Sequence, residues 1–293
     1  MNFQQLRQKI RDYENDDFTT ASAEMQEVVF ALTKEDVTEL IIDIGVIPED
    51  IAHDSSEEKL YSKTSDIIFA KALQCMDFDV EVLRERADAA DIVAKSKYHS
   101  YSLVGDAKAF RLSRTAKNAK DFKVDSMVQW KGSNDYAVLA CPYFQYPTRS
   151  SQIYKEALNG NVMLFSWEWL YIMLKENITE TPRVCLKDVW NQSALIGTEV
   201  TVPEQKYCFL PRQDENMRGI LNVSDERFTT YFSGVKGKLR ERGAEEILYY
   251  REEIERVKGL THEEAIKELL ERMKLDSKIE TIQNFINRIT DEN

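Results

Sequence analysis

Four residues in the middle of the chain could do chemistry together. Asp91 opens the run Asp-Ile-Val-Ala; after fourteen intervening residues Asp106, Ala107 and Lys108 follow the apolar pair Leu103-Val104. A carboxylate and an amine two residues apart on an extended segment point to the same face of a sheet. Aspartate is depleted from strand interiors, so two of them beside strand-like runs ask for a reason. Hard cations such as Mg²⁺ take oxygen ligands, often one or two protein carboxylates plus substrate phosphate. Asp91 and Asp106 are the candidate carboxylates, and the main-chain carbonyl of Ala107 is a candidate third ligand. Lys108 is placed to orient or help deprotonate an attacking water and to offset charge developing on a phosphate. A divalent ion there would activate that water and stabilise an in-line displacement. Asp-Ala-Lys alone is a common tripeptide; the paired aspartate and the next dozen residues give it weight.

Those residues turn basic. Lys108, Arg111, Arg114, Lys117, Lys120 and Lys123 fall at every third position, and Asp121 is the only acid between Lys108 and Val124. Such a run is more often a solvated helix face, but directly behind a strand-borne acid pair it is suited to hold phosphates. Lysine and arginine match guanine edges, asparagine matches adenine, and an aspartate can accept from cytosine. Asn118, Lys120, Asp121 and Lys123 are therefore candidates for base contacts. Arg111, Arg114 and Lys117 are candidates for holding phosphates or supporting the site. Together these residues describe a metal-dependent nuclease core.

The surrounding elements must bring Asp91 onto Asp106. Asp91–Ala94 and Tyr101–Phe110 read as two strands joined by the polar turn Lys97–Ser100, an antiparallel pair. Lys120–Trp130 reads as a helix. Tyr136–Cys141 and Asn161–Phe165 are continuous apolar runs suited to buried strands, with a helix over Ser150–Leu158 between them and another over Trp167–Leu174. Before the pair, helices are expected at Ala21–Leu32, after Thr33 with a capping box to Asp36, and over Ser55–Met76, where Asp77 and Asp79 break the pattern. Asn177–Val223 yields only a short helix near Leu186–Trp190. Helices resume after Ser224, with capping boxes at Thr261–Glu264 and Ser277–Glu280. The expected class is α/β: a small mixed sheet flanked by helices, with helical N- and C-terminal regions. With no clear linker, residues 1–293 are expected to form a single domain, its catalytic core over about 55–175 and a helical C-terminal subregion over about 224–290.

Composition sets bounds. A net charge of −12 is a poor general footing for binding nucleic acid, but the excess acid lies in Glu14–Glu58 and the C-terminal helices, away from the basic stretch. Local fields can differ from net charge. His53, His99 and His262 are scattered, which sets aside a histidine-built metal site. Cysteines 75, 141, 185 and 208 show no metal-like spacing, so buried free thiols in a reducing cytoplasm are expected, Cys75 and Cys141 among them. There is no signal-peptide core and no apolar run near the roughly 20 residues that span a bilayer. A cytoplasmic protein is expected.

At the segment VGDAKAFRLSRTAKNAKDFKV the sequence resembles the HindIII family of restriction endonucleases, within the PD-(D/E)xK nuclease superfamily. The resemblance continues through EEKLYSKTSDIIFAKALQ, DYAVLACPYFQYP, SQIYKEAL, NVMLFSWEWL and HEEAIKELLERMKLDSKIETIQNFI, and is weakest around 180–250. It implies a PD-(D/E)xK restriction-endonuclease-like core and a homodimer that cuts both strands of double-stranded DNA at AAGCTT with Mg²⁺, leaving 5′-phosphates. A cognate DNA methyltransferase is implied in the host, though not as a stable complex. Asp91 and Asp106 correspond to metal-binding carboxylates, Lys108 to the catalytic lysine and Asp121 to a further acid. The sequence departs from the pattern at Ala90, where the superfamily proline would stand, and at Arg84, where the family has a glutamate and the neighbouring acid is Glu85. Glu58 is an alternative third carboxylate.

Two other readings differ in class. A structure-selective repair or junction nuclease of the same fold would prefer flaps or junctions to intact duplex. A non-enzymatic DNA-binding protein would bind with salt-dependent affinity and show no turnover with any divalent ion.

Overall fold

The computed structural model describes residues 1–83, 89–114, 119–147, 151–199 and 206–291. Two compact units make up the chain, Met1–Gly243 and Ala244–Asn293.

The first unit opens with helices α1 (Phe3–Tyr13), α2 (Phe18–Phe30), α3 (Lys34–Ile44) and α4 (Ser56–Cys75). Each has a side chain at its N-cap to satisfy otherwise orphaned main-chain donors. Thr33 and Asp36 form the expected capping box at α3, and the Ser55 hydroxyl accepts from the Glu58 amide at α4. Asp77, at φ 67°, ends α4 and turns the chain straight into β1 (Phe78–Val82). Strands β2 (Ile92–Ser96) and β3 (Ser102–Ala107) follow.

The chain then passes through α5 (Ala119–Phe122), α6 (Val124–Trp130), β4 (Tyr136–Cys141), α7 (Gln152–Gly160), β5 (Val162–Ser166) and α8 (Trp167–Lys175). Helices α9 (Lys187–Trp190), α10 (Gln192–Glu199) and α11 (Lys206–Leu221) lead to α12 (Asp225–Lys258).

The described residues form one five-stranded sheet in the order β1-β2-β3-β4-β5. The β1–β2 and β2–β3 pairs are antiparallel, and β3–β4 and β4–β5 are parallel. The sheet is therefore mixed and small, as expected. Alternate residues of β4 and β5 fall into two separate cores: Val138, Ala140, Met163 and Phe165 in one, Ala137, Leu139, Cys141, Val162 and Leu164 in the other. Helices cover both faces, which is why these strands read as unbroken apolar runs. Helix α4 shares the first core with α3 and α8, through Ile67, Ile68, Phe69 and Leu73. It lies so close to β3 that a Cβ at Gly105 would come within 2.9 Å of the Phe69 ring.

In the first unit, four expectations need correction. Strand β1 stands where Asp77 and Asp79 only broke a helical pattern; as an edge strand it pairs on one side and alternates buried and exposed residues. Lys120–Trp130 is two short helices, broken at Lys123, whose φ is 50°. Residues 177–223 carry more helix than one short piece. Cys75 is partly rather than fully buried, whereas Cys141 is buried; neither is in a disulfide.

The second unit holds the end of α12, then α13 (His262–Arg272) and α14 (Leu275–Asp291). Thr261 and Glu264 make the expected capping box at α13. Ser277 lies inside α14, so the second capping box does not form; Lys274, at φ 51°, makes the break instead. Among the described residues no helix is long and apolar enough to cross a membrane.

Candidate active site

Strand pairing places the two aspartates. Ile92 lies opposite Gly105 across β2–β3, so the next position brings Asp91 beside Asp106. The Asp91 amide donates to the Gly105 carbonyl at 3.1 Å, and the Asp91 carbonyl accepts from the Leu83 amide at 2.8 Å. Beyond Asp91 the antiparallel ladder stops, and the Ala107 amide, facing that side, would be left without a strand partner. Oδ1 of Asp66, on α4, accepts from it at 2.8 Å. One oxygen each of Asp66, Asp91 and Asp106 lies within 4.8 Å of the others.

Lys108 closes the group. Its main chain is held on both sides: the amide donates to the Ala140 carbonyl at 2.7 Å, and its carbonyl accepts from Nε1 of Trp167 at 3.0 Å. Its ammonium makes an ion pair with Oδ2 of Asp106. A second buried ammonium, that of Lys63 on α4, donates to Oδ1 of Asp91 and to the Leu83 carbonyl, each at 3.0 Å. Three carboxylates thus face two cations in a cleft of about 490 Å³ at the end of β3.

The charges bear on one another. Burial, opposed by the Lys108 ammonium and reinforced by Asp91, pushes the Asp106 carboxyl up to about 6. Burial and then the charges of Asp91 and Asp106 drive Asp66 well above the usual carboxylate range. Asp91 goes the other way: burial works against its ionisation, but Lys63 and its other polar neighbours outweigh that and hold it low. Lys108 is raised, since the surrounding carboxylates outweigh the effect of burial. Carboxyl groups shifted in opposite directions within one cleft are a recognised mark of a functional site.

The donor set suits a hard divalent ion. It is all oxygen, supplied by three carboxyl groups that lie within 4.8 Å of one another in a largely buried cleft. Oxygen ligands of this kind match Mg²⁺ or Ca²⁺ rather than a softer metal.

The structure brings together Asp91, Asp106, Ala107 and Lys108, and adds Asp66 and Lys63, which sequence reasoning passed over. For Asp66 the sequence offers only a polar four-residue spacing with Glu58 and Ser62, all three of which line the cleft, and for Lys63 it offers no such pattern. Glu58 belongs to a neighbouring group with His53 and Asp54 rather than to the three aspartates. Its Oε1 accepts from Arg111 and its Oε2 from the Asp54 amide, both at 2.7 Å.

The basic stretch divides. Arg111 is buried, donating to the Pro48 carbonyl at 2.7 Å as well as to Glu58, so it braces the cleft wall. Arg114 and Lys123 line the cleft itself. Arg114 is also paired with Asp121 at 2.6 Å, and Lys123 lies over the Trp130 ring. Lys120 is exposed on α5. Lys117 and Asn118 lie outside the described residues, as do Arg84 and Glu85.

With this geometry in hand, comparison with known proteins gives a consistent result. A family model described as HindIII restriction endonuclease matches residues 5–286. The type II restriction enzyme HindIII of Haemophilus influenzae is 38% identical over 286 residues, 98% of this chain and 95% of that one. Among solved structures, that of restriction endonuclease FokI aligns with 60% of this chain and 34% of its own, at 14% identity and a TM-score of 0.34. The aligned part is about a third of that structure's length, and the likeness is too slight to carry an argument.

Proposed function

The chain belongs to the HindIII restriction endonuclease family and is a site-specific type II restriction endonuclease, and from that premise we propose how it works. It hydrolyses phosphodiester bonds in double-stranded DNA at AAGCTT, with Mg²⁺, leaving 5′-phosphates. The observation that carries the reading is the convergence of Asp91, Asp106 and Lys108 at the end of β3, in one cleft with Arg114 and Lys123.

In this reading the PD-(D/E)xK core is β1 to β5 with α4 and α8, and residues 1–293 act as one restriction-endonuclease domain. Asp91, Asp106 and the Ala107 carbonyl hold the metal, with Asp66 beside them. When bound, the metal supplies charge neutralisation at the scissile phosphate and acidity for the attacking water. The rest falls to side chains. Lys108, held rigidly by Ala140 and Trp167, keeps its ammonium where it can orient the water and meet the phosphate's developing charge. Asp66 fixes the Asp106–Ala107 peptide plane, and the bond from the Lys108 amide to the Ala140 carbonyl fixes the next plane and so the direction of the Ala107 carbonyl. Arg114 and Lys117 hold phosphates, Arg111 braces the wall, and Asn118, Lys120, Asp121 and Lys123 approach base edges. Two copies related by a two-fold axis read the palindrome and cut one strand each. The expected setting is the cytoplasm, with a cognate methyltransferase protecting host sites.

Sequencing the ends of plasmid digested with Mg²⁺ tests activity, site and cut position together. Discrete fragments ending at AAGCTT are expected, and Asp106→Ala should abolish them. A smear, or cutting confined to flaps and junctions, would overturn the proposed specificity.

A further inference from the structure

The second unit is built inside out for a lone chain. Its polar faces are already paired: Arg256 bonds Glu253 at 2.9 Å and Glu268 at 2.7 Å, and Arg272 reaches Glu268 at 2.7 Å and Glu253 at 3.6 Å. This charge cluster ties the end of α12 to α13, while the apolar faces are turned to water. Ile266, Leu269 and Leu270 on α13 and Met273 at its C-cap recur at i, i+3, i+4 and i+7, and Ile279 and Ile282 at i, i+3 on α14; all are 44–59% exposed. Among the described residues from Ala244 onward, no apolar side chain is buried.

That is not a stable end state. Helices of 11 and 17 residues are marginal alone in water and draw their stability from a packed apolar face. Exposed aliphatic side chains along both helices form the kind of apolar face that a protein interface, burying roughly 800 Å² per partner, covers at its core.

We infer that the apolar faces of α13 and α14 are the surface by which a second copy of this chain docks, helix face on helix face about a two-fold axis. Duplex DNA does not fit the same surface: residues 244–293 carry 13 acids and 8 bases, so the unit repels phosphates. A second copy brings an apolar seam of the same spacing, as the self-complementary patch of an isologous interface requires. That two copies associate belongs to the functional proposal above and is assumed here; the assignment of the surface is what is added.

Sedimentation equilibrium of the full chain tests it. Wild type should be dimeric, and the double variant Leu269→Glu/Ile282→Glu should dissociate at least 100-fold more readily. Val184→Glu, which alters an exposed apolar residue of the first unit, should leave the dimer intact. All four tryptophans lie between Trp130 and Trp190, so an unchanged near-ultraviolet circular dichroism spectrum shows that the first unit remains folded. Should the double variant not fold, lysine cross-linking of a mixed heavy- and light-isotope wild-type sample decides. Heavy–light links among Lys267, Lys274 and Lys278 support the surface, and their absence overturns it. A double variant as dimeric as wild type would also overturn it while leaving the homodimer standing. A monomeric wild type would remove the homodimer itself.

Discussion

Lys63 and Asp91 form an ion pair in which a side chain only 6% exposed meets one 29% exposed, at 3.0 Å. The lysine comes from α4, one turn before Asp66, so a single helix delivers both a cation and an acid to the site. With Lys108, it leaves three carboxylates partly neutralised before any metal arrives.

Replacing Lys63 by methionine keeps most of the packing and strands the Asp91 charge. Removing one partner of a buried pair is strongly destabilising; with Asp91 partly solvated, a loss on the order of 1–3 kcal/mol is expected without metal. Millimolar Mg²⁺ should restore much of it, because a divalent ion replaces the missing charge and ligand binding to the native state stabilises it. Thermal melts of wild type and Lys63→Met with and without Mg²⁺ check this. An equal Mg²⁺ effect on both proteins would mean the lysine is not neutralising the site.

Asp66 has two separable tasks. Asp66→Asn keeps an oxygen for the Ala107 amide but cannot ionise when a cation binds, so the fold should hold while metal affinity and cleavage fall roughly 10–100-fold. Asp66→Ala also leaves the buried amide unpaired, which costs a further ~1–3 kcal/mol. Calorimetric Mg²⁺ titration alongside cleavage rates distinguishes the two. If Asn and Ala behave alike in both assays, the hydrogen bond to Ala107 is immaterial.

Gly105→Ala is predicted to destabilise the site from beneath. An added Cβ would lie 2.7 Å from Cδ1 and Cγ1 of Ile92 and 2.9 Å from the Phe69 ring. Overpacking of this kind costs about 1–3 kcal/mol, and the shift falls on the strand carrying Asp106. Urea unfolding and the cleavage rate should both decline. A variant as stable as wild type would show that α4 gives way more easily than its packing suggests.

Stability should fall between pH 4 and 8. Glu168 is buried, accepts from the Tyr143 amide at 2.8 Å, and burial pushes its carboxyl up to about 7. Asp214, bonded by Tyr143 and Trp169, is raised by burial to about 6. Their folded states bind protons more tightly than the unfolded chain. Their contribution is therefore complete below the unfolded values near 4 and is lost as pH rises through about 6 to 7. Glu168→Gln removes that titration and should flatten the profile, by roughly 3 kcal/mol at most. Urea unfolding at pH 5 and pH 8 measures it; an unchanged slope would place the dependence elsewhere.

The sequence alone determined a good deal. Periodicity and unbroken apolar runs located β2 to β5 and the helices between them, because burial on one or both faces writes itself into residue order. The Asp91–Asp106 pairing was legible for the same reason, as a hairpin of fixed length has little freedom in register. Strand β1 was not legible: five alternating residues with two acids at a sheet edge look like the frayed end of a helix.

Only the tertiary structure decided what stands around the pair. Asp66 and Lys63 lie far from Asp106 in sequence, and on α4 they read as ordinary polar positions until the helix is laid across β3. Packing also sorted the evenly spaced cations, burying Arg111 against Pro48 and Glu58 while leaving Arg114 and Lys123 on the cleft. Spacing along a chain fixes neighbours within an element. Which elements meet, and so which charges must balance in a buried site, depends on the packing of a core that no local pattern encodes.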